Sequence, residues 1–266
     1  MDLKLNGKRA LVTGGSRGIG KAIARALLAE GVRVVISARE VAQAEATVRE
    51  LAWETGGNVH YLLADTRSDA EVNALVDEAV RLLGGLDIVV NNAARPGVAL
   101  DPPGVAGVAS DYLLDELNTK LVGYMRVARA AAPHLVAQGW GRIINISGLA
   151  ARFGSAIAGS VRNIGVSALT KNLADELGPK GVNVTVVHPG ATRTEKTPLA
   201  VARKAEATGL GLAEAEKALF GGNLLGRIVE AEEIAAIVTF LASPLSAAIN
   251  GDAVAAGGGS PRGIHY

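Results

Sequence analysis

A five-residue apolar run, Arg9 to Thr13, leads without a break into Thr13-Gly14-Gly15-Ser16-Arg17-Gly18-Ile19-Gly20 and then into an amphipathic stretch ending at Gly31. A strand, a glycine turn and a helix in that order leave few folding options. The same rhythm repeats along the chain. Strands are expected over 32–37, 59–63, 86–91, 142–147, 182–188 and 253–255. Helices are expected over 41–55, 68–83, from about Asp111 with a disturbance at Pro133, 160–177 and 232–242. Ser68 with Glu71 opens one helix as a capping pair, and Gly84 closes it. Strands such as RVVIS and IVVNN are apolar on both faces, which calls for helices on both sides of a parallel sheet. The fold expected is α/β: a single-domain, doubly wound parallel sheet over residues 1–266. Residues 192–226, rich in Ala, Gly, Glu and Lys, interrupt the alternation. They read either as a helical lid over the site or as a surface excursion with no role.

Composition narrows the function. The 266 residues carry 27 Lys plus Arg against 26 Asp plus Glu, a net charge of +1. That balance is no footprint for nucleic acid or an anionic membrane. Cysteine is absent, which excludes disulfides, zinc thiolates and cysteine nucleophiles. The four His have no metal-ligand spacing, so no metal is expected. The longest apolar stretch, Ile234 to Ala242, is too short for a membrane span, and MDLKLNGKRALVTGG has no apolar signal core. A cytoplasmic protein acting on a small molecule is expected.

The glycine turn is an anion site in its sequence context. Glycine permits the tight turn and the close approach of phosphate, and the helix start offers free N–H groups with a positive dipole end. The spacing is G-x-x-x-G-x-G, with Gly14, Gly18 and Gly20. The second strand ends Ile36-Ser37-Ala38-Arg39, without the Asp or Glu that accepts the ribose hydroxyls of NAD. Arg39 and Arg17 instead suit a ribose phosphate, so NADP(H) is expected in preference to NAD(H). The competing reading leaves Arg39 as a solvated helix-start residue.

With these motifs the chain resembles the short-chain dehydrogenase/reductase family over nearly its whole length. The resemblance is carried by TGGSRGIG at 13–20, Asp65, NNAA at 91–94, GRIINIS at 141–147, LTKNLADELGPKGVNVTVVHPGATRT at 169–194 and GGG at 257–259. It implies that Thr13, Gly14, Ser16, Arg17, Gly18, Ile19 and Gly20 form the cofactor cradle. It places Asp65 and Thr66 near the adenine, Asn92, Ala93 and Ala94 in the cofactor groove, and Pro189, Gly190, Thr192 and Thr194 at the nicotinamide end. Ala94 stands where the family usually has glycine. The resemblance also implies a homodimer or homotetramer, paired through the long helices after the fourth and fifth strands.

The resemblance breaks at the chemistry. The family uses a Tyr as proton donor, a Lys four residues later, a Ser, and an Asn in the long helix. The tyrosines here, Tyr61, Tyr112 and Tyr124, are followed four residues on by Asp65, Glu116 and Ala128, and Tyr266 ends the chain. Alignment places Gly159 at the Tyr and Asn163 at the Lys. Ser147, with Gly148 beside it, falls at the Ser, and Lys120, with Asn118 close by, at the Asn. Ser147, Lys120 and Asn163 are therefore the candidate catalytic residues, and Asn163 could also bind a ribose hydroxyl. Lys120 could act as an acid or a clamp for a developing alkoxide, with Arg162 as a second cation nearby. The commoner fate of two such cations is to face solvent or a subunit partner. Tyr124 is either a replacement phenol or packing, and His188 is either structural or adjacent to substrate. The implied function is an NADP(H)-dependent oxidoreductase acting on the carbonyl or alcohol of a small apolar molecule through a non-standard site. The alternative is a catalytically silent NADP(H)-binding or regulatory relative.

Overall fold

A computed structural model describes residues 1–94, 104–154 and 156–261. Among the described residues, seven strands form one parallel sheet: β1 (Arg9–Thr13), β2 (Arg33–Ala38), β3 (Val59–Leu63), β4 (Ile88–Asn91), β5 (Gly141–Ile146), β6 (Val182–Pro189) and β7 (Ala253–Ala256). Their order is β3-β2-β1-β4-β5-β6-β7. The winding across the sheet reverses between β1 and β4, where the strands pair Ala10 with Ile88 and Val12 with Val90. Open α/β sheets bind ligands in the crevice beyond the strand ends at such a reversal. The doubly wound α/β reading of the sequence holds.

The helices are α1 (Gly18–Ala29), α2 (Val41–Thr55), α3 (Asp69–Leu83), α4 (Ser110–Leu117), α5 (Gly123–Ala137), α6 (Ile157–Leu177), α7 (Thr197–Thr208), α8 (Leu212–Phe220) and α9 (Ala231–Ala242). Alternation along β1 explains the layering. Ala10 and Val12 join a core with Ile23, Leu27 and Val238, from α1 and α9. Leu11 joins the opposite core with Val76, Val127 and Leu135, from α3 and α5. Each strand of the sheet centre buries both faces, so burial rather than propensity fixes the sheet. Residues 192–226 hold two helices, α7 and α8, and an isolated parallel bridge joins Thr192 to Val229.

Sequence and structure differ in two places. The long helix is interrupted by a π-helical turn over Asn118–Val122, which joins α4 to α5. Pro133 sits inside α5. The break from α geometry thus lies upstream of the proline, at a place often associated with function. The Ser68 hydroxyl caps α3 by accepting from the Glu71 N–H at 3.3 Å, but the Glu71 carboxylate accepts from the Asp65 N–H at 2.9 Å. Half of the expected capping box is diverted to hold the end of β3. Among the described residues no helix is long and apolar enough to cross a membrane.

Candidate functional site

The glycine loop is held from three sides. The Thr13 hydroxyl accepts from the Asn92 N–H at 3.0 Å and the Ala93 N–H at 3.1 Å. The Asn92 amide donates to the Thr13 and Gly14 carbonyls at 3.1 and 2.9 Å. From α2, the Thr47 hydroxyl and the Gln43 amide donate to the Ser16 carbonyl at 2.8 and 3.2 Å. The sequence reading missed Thr47 and Gln43, because a polar residue in an amphipathic helix carries no sign of a partner more than two dozen residues away.

The glycines are required by close approach. A Cβ on Gly20 would stand 2.3 Å from the Gly14 oxygen and 2.4 Å from the Asn92 amide nitrogen. Gly14 has φ +63° and lies against the Ala93 backbone. The turn therefore fits tightly onto the end of β4 and leaves its amide edge facing the crevice.

That edge borders a cavity of about 250 Å³. Gly14, Ser16, Arg17, Gly18 and Ile19 form one wall, Asp65, Thr66, Asn92, Ala93 and Ala94 another, and Thr194 closes a third. Ser37 and Arg39 stand at the end of β2 on the same cavity, so Arg17 and Arg39 share it. Thr13 and Gly20 shape it from behind. Asp65 is not free: Arg67 donates to its carboxylate at 2.6 to 3.1 Å and holds its pKa below the usual carboxylate value. Arg67, two residues along the chain, also reaches Asp115 at 3.4 Å.

The second cluster lies beyond the ends of β5 and β6, outside this wall. The Lys120 ammonium, in the π turn, donates to the Ser147 carbonyl at 2.8 Å and to the Asn163 Oδ1 at 2.9 Å. The Ser147 hydroxyl donates to the Asn163 carbonyl at 3.0 Å. The three candidate catalytic residues are thus brought together, although Ser147 spends its hydroxyl on the α6 backbone. A Cβ on Gly148 would stand 2.8 Å from the Asn163 amide nitrogen, so that neighbouring position points at Asn163.

Lys120 is 4% exposed, and Arg162 is 7% exposed and paired with the buried Glu116. The expectation that these cations face solvent or a partner is therefore corrected. Arg162 has a carboxylate to satisfy it in the interior, and Lys120 has two oxygens. Burial first, and Arg162 second, push the Lys120 pKa down to about 7, with Glu116 opposing. Tyr124 is packing: it is fully buried, its hydroxyl donates to the Ile146 carbonyl at 2.9 Å, and burial raises its pKa. His188 is buried at the end of β6, with Nε2 3.4 Å from the Ser167 hydroxyl. Burial, with Arg152 and Lys120 near, pushes its pKa down to about 4, so it is neutral at pH 7. At the β6 end, the Gly190 N–H donates to the Ala256 carbonyl at 3.2 Å and the Thr192 hydroxyl to the Gly190 carbonyl at 3.0 Å. These contacts shape the chain after Pro189.

Comparisons with known proteins agree with this geometry. The short chain dehydrogenase family profile matches residues 8–204. The chain is 33% identical over 262 residues to the 3-oxoacyl-[acyl-carrier-protein] reductase FabG of Aquifex aeolicus, covering 97% of this chain and 99% of that one. It is similar in structure to the L-sorbose reductase of Gluconobacter frateurii complexed with NADPH and L-sorbose. That match has a TM-score of 0.93 and 25% identity, and covers 99% of this chain and 100% of the other. A single-substitution variant of the actinorhodin polyketide ketoreductase with NADPH matches at TM-score 0.86 and 34% identity, over 94% of this chain and 96% of that one. A crevice at the sheet reversal, the glycine turn that borders it and these matches lead to one assignment: the chain belongs to the short-chain dehydrogenase family of oxidoreductases.

Proposed function

We propose that this protein is an NADP(H)-dependent oxidoreductase acting on the carbonyl or alcohol of a small apolar molecule, with a rearranged catalytic centre. The cofactor fit rests on the cradle. Gly14, Ser16, Arg17, Gly18, Ile19 and Gly20 present a backbone edge that no Cβ could enter at Gly20. Arg17 and Arg39, on one cavity, would take a ribose phosphate and favour NADP(H) over NAD(H). Asp65, Thr66, Asn92, Ala93 and Ala94 would hold the adenosine side. Pro189, Gly190, Thr192 and Thr194 would hold the nicotinamide end, with Asn163 at a ribose hydroxyl. When bound, the cofactor supplies or accepts a hydride. NADPH stands with the solved relatives named above, which supports the same cofactor here.

The observation that carries the catalytic reading is the 2.9 Å contact between Lys120 Nζ and Asn163 Oδ1. The family's long-helix Asn and α6 Lys have traded places in this chain. The ammonium is kept and arrives from the π turn. A lysine with a pKa near 7 gains and loses a proton at Nζ at neutral pH. It can store the proton that a reduced carbonyl takes up, or stabilise negative charge on that oxygen. Ser147 and Asn163 hold Lys120 at that position.

The experiment is NADPH oxidation measured over a panel of small apolar ketones and aldehydes, with the wild type, Lys120→Met and Ser147→Ala. Turnover by the wild type that falls at least about tenfold in K120M supports the reading. Normal turnover in K120M removes Lys120 from the chemistry. One observation favours a second reading, a catalytically silent nucleotide-binding protein. Alignment with the family puts Gly159 where the phenol would stand, and the Ser147 hydroxyl is committed to the Asn163 carbonyl. Tight NADPH binding without turnover on any panel member selects that reading.

The long helices support self-association. Ile157, Val161 and Ile164 form an exposed apolar stripe on α6, and Leu114 is exposed on the neighbouring α4. We place the contact of a homodimer, or of one interface in a homotetramer, on this face.

A further inference from the structure

β2 and β3 end side by side, and opposite charges follow them. Ala38 pairs with Leu63 in the parallel register, and the Ala64 N–H donates to the Ala38 carbonyl at 3.0 Å. The next residue on each strand end is charged: Arg39 after Ala38, and Asp65 after Ala64. Neighbouring strands lie roughly 4.8 Å apart, so an arginine and an aspartate at these two ends are within reach of each other. Both border the nucleotide cavity. An ion pair between Arg39 and Asp65 is the simplest outcome of this register. It does not form. Arg39 is exposed, and among the described residues it has no hydrogen bond or ion pair.

The Asp65 carboxylate is held by Arg67 instead. Arg67 donates to it from its backbone N–H at 2.9 Å, from Nε at 3.0 and 3.1 Å and from Nη2 at 2.6 Å. Both oxygens are engaged, in the forked geometry by which a guanidinium grips a carboxylate. The turn that carries Asp65 is fixed as well. Glu71 accepts from the Asp65 N–H at 2.9 Å, and the Asp65 carbonyl accepts from the Ser68 N–H at 3.0 Å. Arg67 first, and Arg39 through space, hold the Asp65 pKa below the usual carboxylate value, so the charge of Arg39 reaches Asp65 without a direct bond. Arg67 is not among the described residues that border the cavity.

A ribose phosphate on Arg39 has Asp65 as its neighbour. A carboxylate released there would act twice against it. In the empty protein it would pair with Arg39, and in the filled one it would repel the phosphate. We propose that Arg67 is a specificity-determining residue for the cofactor: by gripping both oxygens of Asp65 it keeps Arg39 unpaired for the ribose phosphate. Arg67 acts through Asp65 and Arg39, so it is a positioning residue and not a phosphate contact. Its effect falls on NADP(H) alone, because NAD(H) brings no phosphate to this corner.

This inference deepens the NADP(H) reading above and rests on it, and its test separates the two. The readout is the NADH dissociation constant divided by the NADPH dissociation constant, each from nicotinamide fluorescence. Wild type, Arg67→Ala, Asp65→Asn and the double variant are compared. The ratio cancels effects on the adenine end, which the two nucleotides share. In R67A the ratio is expected to fall about fivefold, the scale of a strand-end ion pair formed between Arg39 and the released Asp65. With Asn at position 65 there is no carboxylate to release, so D65N and D65N/R67A agree within about twofold. An unchanged ratio in R67A overturns the proposal. A fall of equal size on adding R67A to D65N also overturns it, because Arg67 would then meet the phosphate itself. A wild-type ratio near one, or no binding of either nucleotide, overturns the cofactor reading, and the role of Arg67 falls with it.

Discussion

Lys120 Nζ stands 2.9 Å from Asn163 Oδ1, so an amine from the π turn and an amide from α6 hold each other beneath the end of β5. Two structural features allow this. Position 120 lies in the π turn, on the face where Glu116 and Tyr124 are also buried. The Ser147 carbonyl, at the end of a buried strand, offers the ammonium a second acceptor at 2.8 Å. Without both oxygens the amine would be an unsatisfied charge in the interior.

The first expectation is a pH signature of that amine. Burial lowers the Lys120 pKa from its ordinary 10.5 to about 7. Between those values the unfolded chain binds a proton that the folded chain does not, so this group makes stability rise with pH across that window. Lys120→Met abolishes the slope. Its stability relative to the wild type is greatest below pH 7 and declines by about 4 kcal/mol toward pH 10. Urea unfolding of both proteins at pH 6.5 and pH 9.5 measures this. Parallel pH dependence in the two would show that Lys120 has its ordinary pKa.

The second concerns the ribose phosphate. Arg17→Ala and Arg39→Ala each remove one charge-assisted contact, worth about 1.5–3 kcal/mol, so NADPH affinity falls by about 10- to 100-fold. NADH lacks the phosphate, and its affinity changes by no more than about twofold. Side-by-side titration with the two nucleotides decides it. An equal loss for both would place these arginines on the pyrophosphate instead.

The strands, the sheet and the cradle were legible in the sequence because local signals carry them. Apolar runs mark β1 to β6, and glycines at 14, 18 and 20 mark the turn. The burial of Lys120 and Arg162 was not legible. A cation in an amphipathic helix reads as solvent-facing until its partners are known, and these lie on other elements: Asn163 on α6, Ser147 at β5, Glu116 on α4. The contact of the Glu195 carboxylate with the Gly18 N–H was hidden for the same reason, since 177 positions separate the two residues. The π turn left no trace either, because NTKLV is compatible with ordinary helix. Arg67 beside Asp65 is a local pair that two-residue spacing could have suggested.

The third expectation tests the buried ion pair of Glu116 and Arg162. Both side chains are nearly inaccessible, and the Arg162 Nε has no hydrogen-bond partner among the described residues. Removing one partner strands a charge in the interior. Glu116→Gln or Arg162→Met alone is expected to cost about 3–5 kcal/mol. The double variant should recover much of that loss, because no lone charge remains. A double-mutant cycle by urea unfolding gives the coupling directly. Additive losses would mean that water reaches the pair.

The last concerns the α4–α6 face. Leu114 is 61% exposed and Ile164 is 53% exposed, and Ile157 and Val161 continue the α6 stripe at helical spacing. Apolar side chains grouped on two neighbouring helices are what a self-complementary contact across a twofold axis requires, since each copy then offers the other the same stripe. A charge at the centre of such a contact is buried without a partner, and in a symmetric pair it meets its own copy. Leu114→Glu and Ile164→Glu, each remote from the cradle, are therefore expected to lower the association state while leaving the monomer folded. Light scattering on a sizing column at several concentrations should show the wild type as a dimer or larger. The two variants should run at half the mass or below, with unchanged circular dichroism. A wild type that runs at 27.1 kDa at every concentration would leave the stripe without a partner copy and remove the interface.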